Sequence, residues 1–137
     1  MLEHEDEFVH CKYENQILYI TMKNKLPTDD EWEGAKRTIL SYYEANIQKK
    51  TRFSIIMNMC DLPLLPTYRS RDWIKFLNSN KTLTKQCVLC SSIIIDNSVI
   101  QASMNVFFLI YKAERPIQFT KTIEEANQFV AEHQQAN

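Results

Sequence analysis

The stretch IIMNMCDLPLLPTYRSRDW, residues 55–73, decides the fold. Ile55 to Met59 is almost continuously apolar and short, the pattern of a strand buried on both faces. Pro63 and Pro66 then remove backbone donors and end the strand. From Thr67 onward, Trp73, Ile74 and Leu77 fall at helical spacing, which predicts a helix to about Asn80. A strand–loop–helix junction of this kind belongs to an α/β sheet, and in open sheets it is where ligands bind. The junction is therefore read as one of three things: a phosphate cradle, a switch or a plain connection.

One count removes the first option. The chain has a single glycine, Gly34. Phosphate-binding loops and dinucleotide fingerprints need several glycines so that backbone can approach the phosphate. The G-x-S-x-G elbow of α/β hydrolases is missing for the same reason.

The flanking segments extend the pattern. EFVHCKYE, residues 7–14, alternates with period two, and ILYITM, residues 17–22, is β-branched and aromatic. Asn15 and Gln16 between them suit a tight turn, so the two segments predict a hairpin. Thr28 and Glu31 form a capping-box pattern that opens a helix with Trp32, Ala35, Ile39, Leu40, Tyr43 and Ile47 on one face. CVLCSSIIID, residues 87–96, reads as a central strand. Ser98 with Gln101, and Thr122 with Glu125, are further capping-box patterns, opening helices over 99–111 and from 123 onward, the second with Ile123, Ala126, Phe129 and Val130 inward. PIQFT, residues 116–120, is a short strand whose proline suits its start. The order is ββαβαβαβα: an α/β fold with a mixed, mainly parallel five-stranded sheet and four helices, one domain over residues 1–137.

Composition excludes some partners. The net charge is −1, so no electrostatic footprint for nucleic acid exists. No run approaches the roughly 18 apolar residues of a membrane span. The acidic start MLEHEDE is unlike a secretion signal, so the four cysteines are expected to be reduced in a cytoplasmic setting.

Candidate chemistry is sparse. Cys87 and Cys90 form a CxxC, but residues three apart on a strand point to opposite faces, so both are expected to be core thiols. Cys11, Cys60 and His10 lack the paired spacing of a structural zinc site. Asp29, Asp30, Glu31 and Glu33 suit a helix start. Asp61 and Asp96 end strands where α/β sheets bind ligands, but neither has a histidine beside it in sequence. No catalytic, cofactor or metal residue is assigned, and the chain is not read as an enzyme.

Four segments carry a resemblance: ILYITM, FSIIMNMCDL (53–62), RSRDWIKFL (69–77) and RPIQFTKTIEEANQFV (115–130). In this order they resemble the STAS domain of bacterial anti-sigma-factor antagonists, and more closely its small single-domain relatives of unassigned role. The resemblance implies the same fold. Signalling members carry a phosphorylated Ser or Thr after the third strand, which puts Thr67 and Ser70 in view here. The Asp-Ser-x-Gly context of that site is absent, the loop is longer and apolar, and Thr67 is expected to cap its helix.

Two apolar features remain. Leu62, Leu64 and Leu65 occupy a loop, where polar residues are usual, and Tyr68, Arg69, Arg71 and Trp73 follow. VFFLIY, residues 106–111, is too apolar for a half-buried helix, so Phe108 and Leu109 need cover or a partner. The preferred reading is a non-enzymatic interaction or regulatory module, docking a protein partner or a second copy through these residues. The alternatives are a carrier of a small apolar ligand or lipid, and an enzyme with an unrecognised site. A closed apolar cavity of ligand size would favour the carrier.

Overall fold

The computed structural model of the chain describes residues 3–135, without the side chains of 109, 110 and 135. Strands β1 (His4–Glu5), β2 (Val9–Glu14), β3 (Ile17–Met22), β4 (Phe53–Asn58), β5 (Val88–Ile94) and β6 (Ile117–Thr120) form one sheet in chain order. The helices are α1 (Asp29–Lys49), α2 (Thr67–Ser79), α3 (Lys81–Cys87), α4 (Ser98–Ile110) and α5 (Ile123–Gln135). β1 to β3 run antiparallel and β3 to β6 run parallel. The fold class is as expected, with one strand and one helix more than the sequence suggested.

The hairpin turns at Asn15 and Gln16, with φ of 54° and 61°. Positive φ at both central residues is what the type I′ turn requires, and its twist matches that of the strands. Three parallel crossovers then step in one direction along the sheet. Because such crossovers are right-handed, their helices all land on the same face. α1 to α4 therefore share one face, and α5, which follows the last strand, takes the other.

The alternation of β4 records this division. Phe53 and Ile55 join Trp32, Ile39, Cys87 and Ile100 in the larger core. Ile56 joins Cys90, Ile94, Ala126, Phe129 and Val130 in the smaller one. Cys87 and Cys90 thus lie in different cores on opposite faces of the sheet.

The helix starts hold several corrections. The Thr28–Glu31 capping box forms as read. Thr67, however, is the first residue of α2; the cap position is Pro66, which has no side-chain acceptor to offer. Asn97 rather than Ser98 caps α4, its Oδ1 accepting from the Val99 and Ile100 amides at 2.8 and 3.3 Å. Thr122 accepts from the Glu125 amide at 3.1 Å. Ile123, expected inward, is 41% exposed. Cys87 ends α3 rather than opening a strand, because residues 81–87 continue the helical path after Asn80.

α1 ends on Lys50, in the left-handed region at φ 56°, its amide donating to the Asn46 and Ile47 carbonyls. This is normally a glycine position. Asn46, fully buried, ties the same end down: Tyr13 donates to its Oδ1 at 3.2 Å, Thr51 donates there at 2.8 Å, and its Nδ2 donates to the Tyr42 carbonyl at 2.9 Å. Among the described residues no helix is long and apolar enough to cross a membrane.

Candidate functional site

The larger core is not filled. Between the sheet and α1, α2 and α4 lies a cavity of about 140 Å³. Sheet residues such as Ile20, Ile55 and Ile93 form its floor. Trp32, Ile39 and Tyr43 of α1, Trp73 and Phe76 of α2, and Phe107 and Phe108 of α4 form its roof. Leu62 and Leu65 line it from the β4–α2 loop, the same apolar loop that stood out in the sequence. Phe108 packs edge-on against Phe119 of β6 with ring centroids 5.6 Å apart.

Two properties of the lining matter. It holds no Asp, Glu, Lys, Arg or His, so nothing in it balances a charged group. It holds Met22, Met57, Met59 and Met104, flexible thioethers that adapt to irregular shapes. An engineered apolar cavity of about 150 Å³ stays dry and takes benzene. A space of this size and chemistry is therefore suited to a small hydrocarbon or aromatic group.

Above the cavity, a polar seam joins α2 to α1. Arg69 is 7% exposed and donates from Nη2 to Asp29 Oδ1 at 2.8 Å and to the Pro27 carbonyl at 3.3 Å. Its guanidinium lies 5.3 Å from the Trp32 ring and 4.9 Å from the Tyr68 ring. Asp72 accepts from Trp32 Nε1 and from Lys36 Nζ, both at 2.6 Å. The Lys36 ammonium, then the Trp32 indole, hold the Asp72 carboxyl below its ordinary pKa.

The residues singled out in the sequence separate into three groups. Leu62 and Arg69 are buried, and Leu65, Trp73, Ser70 and Phe108 are half-buried around the cavity. Leu64 and Tyr68 are 56% and 60% exposed, and Arg71 and Thr67 are exposed too. The side chain of Leu109 lies outside the described residues. Sequence reasoning did not find the lining methionines or Tyr43 as a group. The only signal for them was an apolar excess on several elements at once.

Other clusters are less organised for binding. Burial pushes the Cys11 thiol up to about 12 and the Cys87 thiol up to about 11, and it also raises Cys60 and Cys90. None of these is a ready thiolate. Asp61 and Asp96 are exposed near Cys60, and among the described residues no histidine is hydrogen-bonded to either. Ligand atoms of Glu3, Glu5 and His10 come within 4.8 Å of one another. They are already engaged, His10 Nε2 in a hydrogen bond with Glu3 at 2.7 Å and Glu5 in an ion pair with Lys23 at 2.7 Å.

Comparison with solved structures gives a match over 89% of this chain. It is the crystal structure of an uncharacterized protein of the DUF3478 family, with a SpoIIAA-like fold, from Shewanella loihica PV-4. The match covers 91% of that chain, with a TM-score of 0.62 and 14% sequence identity. The chain has a SpoIIAA-like, STAS-like fold. No family model matches the sequence, and no curated protein matches it.

Proposed function

We propose that this protein is a non-enzymatic binder of a small apolar ligand, held between the sheet and α1, α2 and α4. The observation that carries this reading is the cavity of about 140 Å³ with its uncharged, methionine- and aromatic-rich lining. An unfilled core is costly. At roughly 24 cal/mol per Å³, a void of this size forfeits about 3 kcal/mol. Larger side chains on α1 or α4 would recover much of that, which supports reading the space as one kept for a guest. Binding pockets commonly run to about 300–1,000 Å³. A guest of benzene size fits as the space stands, and a larger one is admitted by rotation of the flexible methionines.

Native mass spectrometry of the protein purified from its natural source tests this. The reading expects a neutral small-molecule adduct that disappears when Ala35→Phe fills the cavity. An adduct-free wild-type spectrum, combined with failure to bind added toluene, would count against it.

A docking role is favoured by a separate observation. Leu64 and Tyr68 are both more than half exposed where the β4–α2 loop enters α2. The same spectra read this alternative as a dimer or a co-purifying protein lost on Tyr68→Asp. A phosphate on Thr67 or Ser70 would instead point to the switch of the signalling STAS proteins.

A further inference from the structure

Most of the aromatic side chains that line the cavity fall into two linked sets. In the first, Phe8, Trp32, Trp73 and Phe76 follow one another, with ring centroids 6.3, 5.7 and 5.1 Å apart. They come from the residue before β2, from α1 and from α2. In the second, Phe107 and Phe108 of α4 pack edge-on at 4.9 Å, and Tyr111, just past α4, lies 6.0 and 6.1 Å from them. Every one of these rings lines the cavity. Among the described residues no ring contact joins one set to the other.

Each set is held by groups that do not line the cavity. Trp32 donates from Nε1 to Asp72 at 2.6 Å, and the Arg69 guanidinium lies over its ring. Phe108 packs edge-on against Phe119 of β6. The rings are therefore positioned before a guest arrives, and binding spends little on ordering them. An aromatic ring has a negative face and a positive edge, so two rings attract beyond the area they bury. The two sets border one space without touching, so a guest ring gains partners in both. The thioethers of Met22, Met57, Met59 and Met104 border the same space, and sulfur also makes favourable contacts with aromatic rings.

Resting on the apolar-ligand reading, we infer that the natural ligand is a neutral aromatic compound whose ring bridges the α1–α2 set and the α4 set. An alkyl group of the same volume fills the space but gains none of the ring contacts. Trp73 and Phe108, one from each set, are then specificity-determining residues: they select a ring over a chain.

Titration of the full chain with benzene and with cyclopentane, followed by methyl NMR of the lining methionines, tests the inference. Both probes are ring hydrocarbons of similar volume, and only one is aromatic. Cyclopentane is the less soluble in water, so burial of apolar surface alone favours it. Benzene is nevertheless expected to bind about fivefold more tightly, a surplus equal to one ring pair of ordinary strength. Trp73→Leu and Phe108→Leu should each lower the benzene-to-cyclopentane affinity ratio by about threefold and leave cyclopentane within about twofold. Phe76→Leu and Phe107→Leu give the same contrast should either of those variants fail to fold. Cyclopentane binding as tightly as benzene, or a ratio unchanged in variants of both sets, would overturn the inference and leave the cavity reading standing. Binding of neither probe would overturn both.

Discussion

The two faces of the sheet solve the same problem differently. On the α5 face, Ala126, Phe129 and Val130 close over Ile56, Cys90 and Ile94, and little more is needed. On the other face, four helices and many aromatic side chains cover the sheet and still leave a cavity. More apolar material thus produced looser packing. The difference lies in shape: on the α5 face a single helix carries the small, fully buried Ala126 against the strands. Trp32, Trp73, Phe107 and Phe108 are too large and rigid to interdigitate fully, and the polar seam fixes where α2 can rest.

The sharpest way to break this comparison is to add volume to each face. Ala126→Leu, at a site with no exposure, should cost about 3 kcal/mol through overpacking. Ala35→Leu, which points its added carbons at the cavity, should change stability by less than about 1 kcal/mol while abolishing toluene binding. Denaturant midpoints of the two variants check this. Equal costs would mean that the two faces are equally packed.

The perimeter of the cavity face is held by polar contacts, and these make the next largest effects. Asn46→Ala should destabilise by about 2 kcal/mol, because Tyr13 and Thr51 lose their shared acceptor where water does not replace it. A loss under about 0.5 kcal/mol in urea melts would show that Asn46 does not staple α1.

The seam between α1 and α2 should also respond to acid. The folded-state pKa of Asp72 is depressed, first by Lys36. Its contribution is therefore present above the ordinary carboxylate range and lost as pH falls through the folded value. Tryptophan fluorescence, reporting Trp32 and Trp73, should change on acidification below about pH 4, and Asp72→Asn should remove that step. Persistence of the step in the variant would assign it to other carboxylates.

The smallest effect is local. Lys50→Gly should stabilise by roughly 0.5 kcal/mol, the relief of a left-handed non-glycine residue less the extra freedom of the unfolded chain. A decrease in melting temperature would mean that the Lys50 side chain contributes more than its backbone costs.

Much of this architecture was legible in the sequence. Buried strands announced themselves by continuous apolar runs, as in residues 53–59, and Thr28 with Glu31 announced the start of α1. The misses share a cause. His4–Glu5 is too short and polar to show a period, and its strand exists only because β2 offers it an edge. Residues 81–87 carry no helical stripe of their own, and they are helical because α1 and β5 pack beside them. Pro66 and Asn97 took cap positions that Thr67 and Ser98 were expected to hold. For Leu62, Leu65 and Phe108 the sequence left cover and docking both open, because what packs against them comes from distant segments. The cavity itself left no sequence signal beyond apolar excess, since a void is a property of how side chains fail to meet.

Methyl NMR with labelled methionine tests the central claim most directly, because Met22, Met57, Met59 and Met104 all line the cavity. On titration with toluene, the account predicts saturable shifts of the Met22, Met57, Met59 and Met104 methyls, and loss of all four shifts in Ala35→Phe. Shifts that never saturate, or that survive the filled cavity unchanged, would place the ligand elsewhere and contradict the account.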